Sequence, residues 1–121
     1  MATINKTIEY VDKVKVNPYS DEQKFHWISE LDGMVRRAVM QEGGTFAYNY
    51  PDDGDTELIV PYPYDSIYAL YIEAMIDFYD KRFNDYNNTI TMFAAKLDDF
   101  KRAYIRENMP KSSGKIKNVM G

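Results

Sequence analysis

With 121 residues the chain can build one hydrophobic core and not two. Its 45% hydrophobic and 28% charged residues suit a globular domain, and a net charge of −4 opposes the basic face that phosphate binding requires. The absence of cysteine excludes disulfides, thiolate metal sites and thiol nucleophiles. No basic start followed by an apolar stretch and no membrane-length apolar run is visible, so a protein of the cytoplasm, or one carried out within a particle, is expected.

The segment from Thr3 to Val16 places Ile4, Ile8, Val11 and either Val14 or Lys15 on one stripe, which predicts a first helix. Asn17-Pro18-Tyr19 stops it, because proline disfavours helical geometry in the residue before it. Ser20 and Gln23 form a capping-box pattern that opens a second helix, with Phe25, Ile28, Leu31, Val35, Ala38 and Val39 as its apolar residues. Gly43-Gly44 is its predicted end.

From residue 44 to residue 63 the helical period is lost. Phe46, Tyr48 and Tyr50 alternate with smaller or polar neighbours, and a second apolar run, Glu57 to Val60, lies beyond Pro51-Asp52-Asp53-Gly54-Asp55. A short β-hairpin or an extended arm both fit this pattern. Pro61-Tyr62-Pro63 then predicts an extended entry to a third helix, Tyr64 to Phe83. That helix is apolar on more than one face and therefore central. Asn84 to Asn88 reads as a turn, with Asn84 a candidate N-cap. In the last helix Tyr86, Ile90, Phe93, Leu97, Phe100 and Tyr104 alternate steps of four and three, a seam for lengthwise packing that ends near Asn108-Met109-Pro110. Residues 1–110 thus form a single all-α domain of three to four helices with an insertion between helices two and three. Residues 111–121 are a basic tail without period, expected to order only on a partner.

Chemistry is sparse in this pattern. The single histidine, His26, lies one turn from Glu22 and from Glu30 with no nucleophile near it in sequence. Asp52, Asp53, Asp55 and Glu57 suggest an oxygen-ligand loop, but they lack the alternation and the distant bidentate Glu of an EF-hand, and Asp and Gly favour turns for backbone reasons alone. Neither a phosphate loop nor a Ser-His-Asp set is present, so no enzyme activity, cofactor or metal is expected. What stands out is the aromatic content. Eleven tyrosines and six phenylalanines exceed what a core of this size readily buries, and amphipathic rings suit subunit interfaces. Half of the stripe Tyr64, Tyr68, Tyr71, Met75 and Tyr79 is expected inside the monomer and half against another chain. Interface candidates are Trp27, Met34, Tyr48, Tyr50, Tyr62, Tyr64 and Tyr68, together with the tail residues Lys111, Lys115 and Lys117.

Three stretches, FHWISELDGMVRRAV, ELIVPYPYDSIYALYIEAMIDFYDKRFNDYNN and TITMFAAKLDDFKRAYIRENMP, resemble the small head-tail connector (adaptor, head-completion) proteins encoded beside the portal and capsid genes of tailed phages and prophages. The most specific parts are WISELDG, VPYPYD, YNN and NMPK. This resemblance spans roughly residues 20 to 110 and leaves out the first helix and the tail, so portal-contacting residues do not carry over. It implies a structural subunit of the virion neck that forms a homo-oligomeric ring of about twelve copies under cyclic symmetry. Such a ring docks beneath the portal, meets tail or neck completion proteins and lets DNA pass without reading it. The alternative is a small helical regulatory or DNA-binding domain, suggested by the short turn at Asn17-Pro18 between helices one and two.

Overall fold

The computed structural model describes residues 2–108. Its elements in chain order are α1 (Ile4–Val14), α2 (Asp21–Met34), α3 (Ile67–Tyr79) and α4 (Phe83–Asn108). The fold is an all-α bundle, with no strand among the described residues.

Each helix starts where its local chemistry dictates. The Thr3 hydroxyl accepts the Lys6 amide (3.2 Å) to open α1, and Ser20 Oγ accepts the Gln23 amide (3.1 Å) to open α2. Ile4, Ile8 and Val11 are buried on α1; Val14 is exposed, and of the two candidates for the next place on the stripe it is Lys15 that is half-buried. α2 buries Phe25, Ile28 and Leu31 as predicted and continues into a wide π-helical turn at Val35–Val39, closed by Met40 N–H to the Val35 carbonyl (3.1 Å). Helix two therefore ends before Gly43-Gly44, and Gln41 takes the left-handed conformation (φ 58°). The Arg37 guanidinium, donating to the Gly44 carbonyl (2.9 Å), ties down the chain beyond it.

α3 is the central element and packs against α1, α2 and α4. Ile67, Tyr68, Tyr71, Ile72, Ala74 and Ile76 are buried on several of its sides. The α4 seam meets it as predicted: Phe93 lies 5.2 Å from Tyr71, and Phe100 lies 5.8 Å from Tyr64. Two buried charges bind α1 to its neighbours. Lys24 of α2, 2% exposed, reaches Asp12 (2.6 Å), and Lys15 at the end of α1 reaches the buried Asp77 of α3 (2.7 Å).

Residues 40–66 form neither a hairpin nor an arm. They run over the bundle as irregular chain with one 3₁₀ turn at Asp52–Asp55 and one isolated bridge between Thr3 and Glu57. The extended entry is likewise replaced: Tyr62–Pro63 is a cis bond, and a tight turn closes from the Tyr64 amide to the Pro61 carbonyl (2.9 Å). Helical side chains supply the partners that a strand would have supplied. The Tyr48 amide donates to Ser29 Oγ (2.8 Å) and the Tyr48 hydroxyl to Asp32 Oδ2 (2.5 Å). The Ile59 amide also donates to Asp32 (3.4 Å). Tyr68 accepts the Val60 amide (2.7 Å) and donates to Asp32 Oδ1 (2.7 Å). Leu58 and Val60 are thereby drawn into the core. At Gly54 a Cβ would collide with the Asn5 amide, which donates to Asp55 (3.0 Å), so that turn sits directly on α1.

Two predictions follow from this polar cluster. Tyr68→Phe leaves the Val60 amide without its acceptor and Asp32 without one donor, and urea unfolding should show a loss of about 1–3 kcal/mol. Burial holds the Asp32 carboxyl above its ordinary value of 3.8; hydrogen bonds from Tyr48, Tyr68 and the Ile59 amide, and the Arg36 charge, pull it back only in part. Between its unfolded and folded values the native state holds the extra proton, so this contribution is full below the unfolded value and fades as pH rises through the folded one. The stability difference between wild type and Asp32→Asn should accordingly shift against wild type from about pH 4 to about pH 8. A pH-independent difference would refute it.

Candidate interaction surfaces

The break between α3 and α4 falls earlier than the asparagine-rich stretch predicted, because Asn84 to Asn88 are already helical. Lys81 adopts the left-handed conformation (φ 63°). The Arg82 amide donates to the Asp77 carbonyl (2.8 Å) and the Lys81 amide to the Phe78 carbonyl (3.1 Å), the paired closure of a Schellman motif with lysine where glycine is usual. This tight reversal throws a group of rings outward. Phe78 is 44% exposed, Tyr79 55% and Phe83 53%. Their centroids form a connected set, Phe78 lying 5.2 Å from Tyr79, 6.1 Å from Phe83 and 5.4 Å from Tyr86. Tyr79 in turn stacks on Trp27 (5.9 Å), which meets the edge of Tyr19 (5.5 Å). Phe78 and Tyr79 both lie at the C-terminal end of α3, and the chain turns immediately after them.

A second surface lies on the other side of α3. Between α1, α3 and α4 a groove of about 510 Å³ is lined by Tyr10, Ala69, Leu70 and Met92, with Tyr10 and Met92 more than half exposed. Charges of both signs edge it: Lys6 and Lys96 from α1 and α4, Asp65 and Glu73 from the α3 side. Burial raises the Glu73 carboxyl; nearby Lys15 opposes the rise and Asp77 adds to it. The buried Oδ2 of Asp77 itself has no hydrogen-bond partner among the described residues.

The described interface candidates separate by burial into three groups. Trp27 and Tyr68 are 2% and 0% exposed and are taken up inside the folded chain: the first packs in a triangle of rings with Tyr19 and Tyr79, the second holds the Asp32 cluster. Tyr48 and Tyr64 are half-buried, the one bonded to Asp32 and the other packed on Phe100. Met34, Tyr50 and Tyr62 are exposed, Tyr62 at 85%, although Tyr50 still rests on Phe25 (4.8 Å). Lys111, Lys115 and Lys117 lie outside the described residues. Of the stripe Tyr64, Tyr68, Tyr71, Met75 and Tyr79, only Tyr79 is exposed. Tyr10, Phe78, Phe83 and Met92 escaped the sequence reading. Their one signal was their position off the α1 and α4 seams and at the helix ends.

The groups with chemical potential are otherwise occupied or open to water. His26 is an exposed side chain 4.0 Å from Glu30, whose other oxygen accepts the Tyr71 hydroxyl (2.7 Å). In the acidic turn Asp53 accepts the Asn49 amide (2.7 Å) and Asp55 the Asn5 side chain. No group of three His, Cys, Asp or Glu is placed to hold a metal among the described residues, and no described helix is long and apolar enough to cross a membrane.

The left-handed lysine gives the aromatic corner a simple test. Lys81→Gly relieves the Cβ clash of that conformation, partly offset by the greater freedom of glycine in the unfolded chain, so thermal unfolding should show a gain of up to about 1 kcal/mol. A loss would mean that the lysine side chain itself holds the corner.

No family model matches this chain, and no curated protein and no solved structure matches it either.

Proposed function

We propose that this protein is a non-catalytic assembly subunit, a head-tail connector that associates with copies of itself into a ring beneath a phage portal. The observation that carries the reading is the presence of two unlike apolar surfaces, a protruding aromatic corner at α3–α4 and a groove between α1, α3 and α4. A ring is built from heterologous contacts, each joining one face of a subunit to a different face of the next. Interfaces favour aromatic rings and methionine at their centres with charge at the rim, which is the composition of both surfaces. The resemblance of the sequence motifs to those of the connector proteins supports the choice of particle, and with it the portal and the neck completion proteins as neighbours and the virion neck as location.

Passage of DNA through such a ring is favoured by a wall that does not hold phosphates, and the net charge of −4 is compatible with that. The competing DNA-binding reading would use α2 as the helix presented to the groove of the duplex. Its outer face carries Asp21, Glu22 and Glu30, all exposed, which repel phosphate.

Mass measurement of the concentrated protein, alone and with its portal, should find a closed species of about a dozen copies under cyclic symmetry. The same protein should pass through immobilised duplex DNA without retention at low salt. A persistent monomer in both mixtures would defeat the connector reading, and retention that weakens steeply with salt would replace it with the DNA-binding one.

A further inference from the structure

We infer that the two surfaces are partners of each other: the aromatic corner of one copy seats in the α1–α3–α4 groove of the next. This inference rests on the self-association proposed above and adds which surfaces meet.

The first support is their placement. On α3, Tyr79 of the corner follows Leu70 of the groove by nine residues, and on α4 Met92 of the groove follows Phe83 of the corner by the same interval. At about 100° per residue, nine residues bring the helix to about 180° from its starting direction. Both helices therefore point corner and groove to opposite flanks, and one copy cannot bring its own corner to its own groove. A two-fold axis would require both corner-in-groove contacts to form at once between the same two copies, which surfaces on opposite flanks oppose, whereas a head-to-tail contact uses one of each and can be repeated.

Charge supplies the second support. Lys81 and Arg82 are exposed between the rings of the corner, and Asp65 and Glu73 lie along the α3 edge of the groove. Among the described residues, none of Lys81, Arg82, Asp65 and Glu73 has an ion-pair partner within its own chain. Unpaired cations at an apolar corner and unpaired carboxylates along an apolar groove can match in one register and repel in others. Third, the chemistry is compatible: the groove offers a thioether at Met92 to the Phe83 ring, a contact that sulfur makes readily at the edge of an aromatic.

The cysteine-free sequence permits a direct trap. Phe83→Cys and Met92→Cys both alter exposed side chains, and near-native thermal unfolding of each verifies the fold. Under mild oxidation at high concentration, a mixture of the two should give a disulfide dimer in about tenfold or greater excess over either variant alone, because the contact raises the effective concentration of the thiols. A chain carrying both substitutions should form a covalent ladder that stops at the ring's copy number. Rings without the mixed dimer, or a dominant Phe83→Cys homodimer, would overturn the pairing while leaving self-association standing. A monomer at every concentration, with and without portal, would overturn both.

Discussion

A single carboxylate in the core decides the course of the chain between α2 and α3. Asp32 is fully buried, and no cation pairs with it among the described residues; its oxygens are satisfied by two tyrosine hydroxyls and one backbone amide. An ionised group in such a place is tolerated only when donors surround it, because burial without them costs several kcal/mol. The three donors come from two separate parts of the chain, Tyr48 and Ile59 in the irregular segment and Tyr68 on α3. Satisfying Asp32 therefore fixes the route of residues 40–66 and the seating of α3 on α2 together. Arg36, which pairs with Glu42 (2.8 Å) and lies over the Phe46 ring (4.7 Å), is close enough to ease the charge without joining the cluster.

The helices were legible because their information is local. Ser20 and Gln23 announce α2 within four residues, and the steps of four and three along α4 place Phe93 and Phe100 against α3 without knowledge of any other element. The irregular segment was not legible, and the reason is physical. Its alternation of Phe46, Tyr48 and Tyr50 resembles a strand, yet its amides are satisfied by Ser29, Asp32 and Tyr68, side chains on two different helices. Nothing within the segment encodes those partners. Helix ends failed in a related way: Gly43-Gly44 and the stretch from Asn84 to Asn88 read as breaks by propensity, but the chain turns instead at Gln41 and Lys81.

The same distinction explains the aromatic side chains. Trp27 and Tyr68 have the composition of interface anchors, but both are consumed inside the monomer, one by stacking and one by hydrogen bonding. The reversal at Lys81 returns apolar area to the surface by exposing Phe78, Tyr79 and Phe83 together, and a cluster of exposed rings is a more informative feature than any one of them. Excess of rings over core capacity was readable from composition; which rings would remain outside depended on where α3 stopped.

Placement of the two surfaces also bears on assembly size. Faces set at a small angle to one another lead to trimers or tetramers, whereas nearly opposed faces lead to large rings or open filaments. A ring of about a dozen needs adjacent contacts to depart from direct opposition by only about 30° when the helices lie along the ring axis. The nine-residue interval between corner and groove on both α3 and α4 gives close to that opposition from helical periodicity alone. The remaining small rotation must come from how α1, which forms one wall of the groove, leans against α3. Two ion pairs, Lys15–Asp77 and Lys24–Asp12, each with one buried partner, tie α1 to α3 and α2. On the proposed pairing, Lys15 also lies near Glu73 at the edge of the groove, so the group that anchors α1 is close to the contact as well.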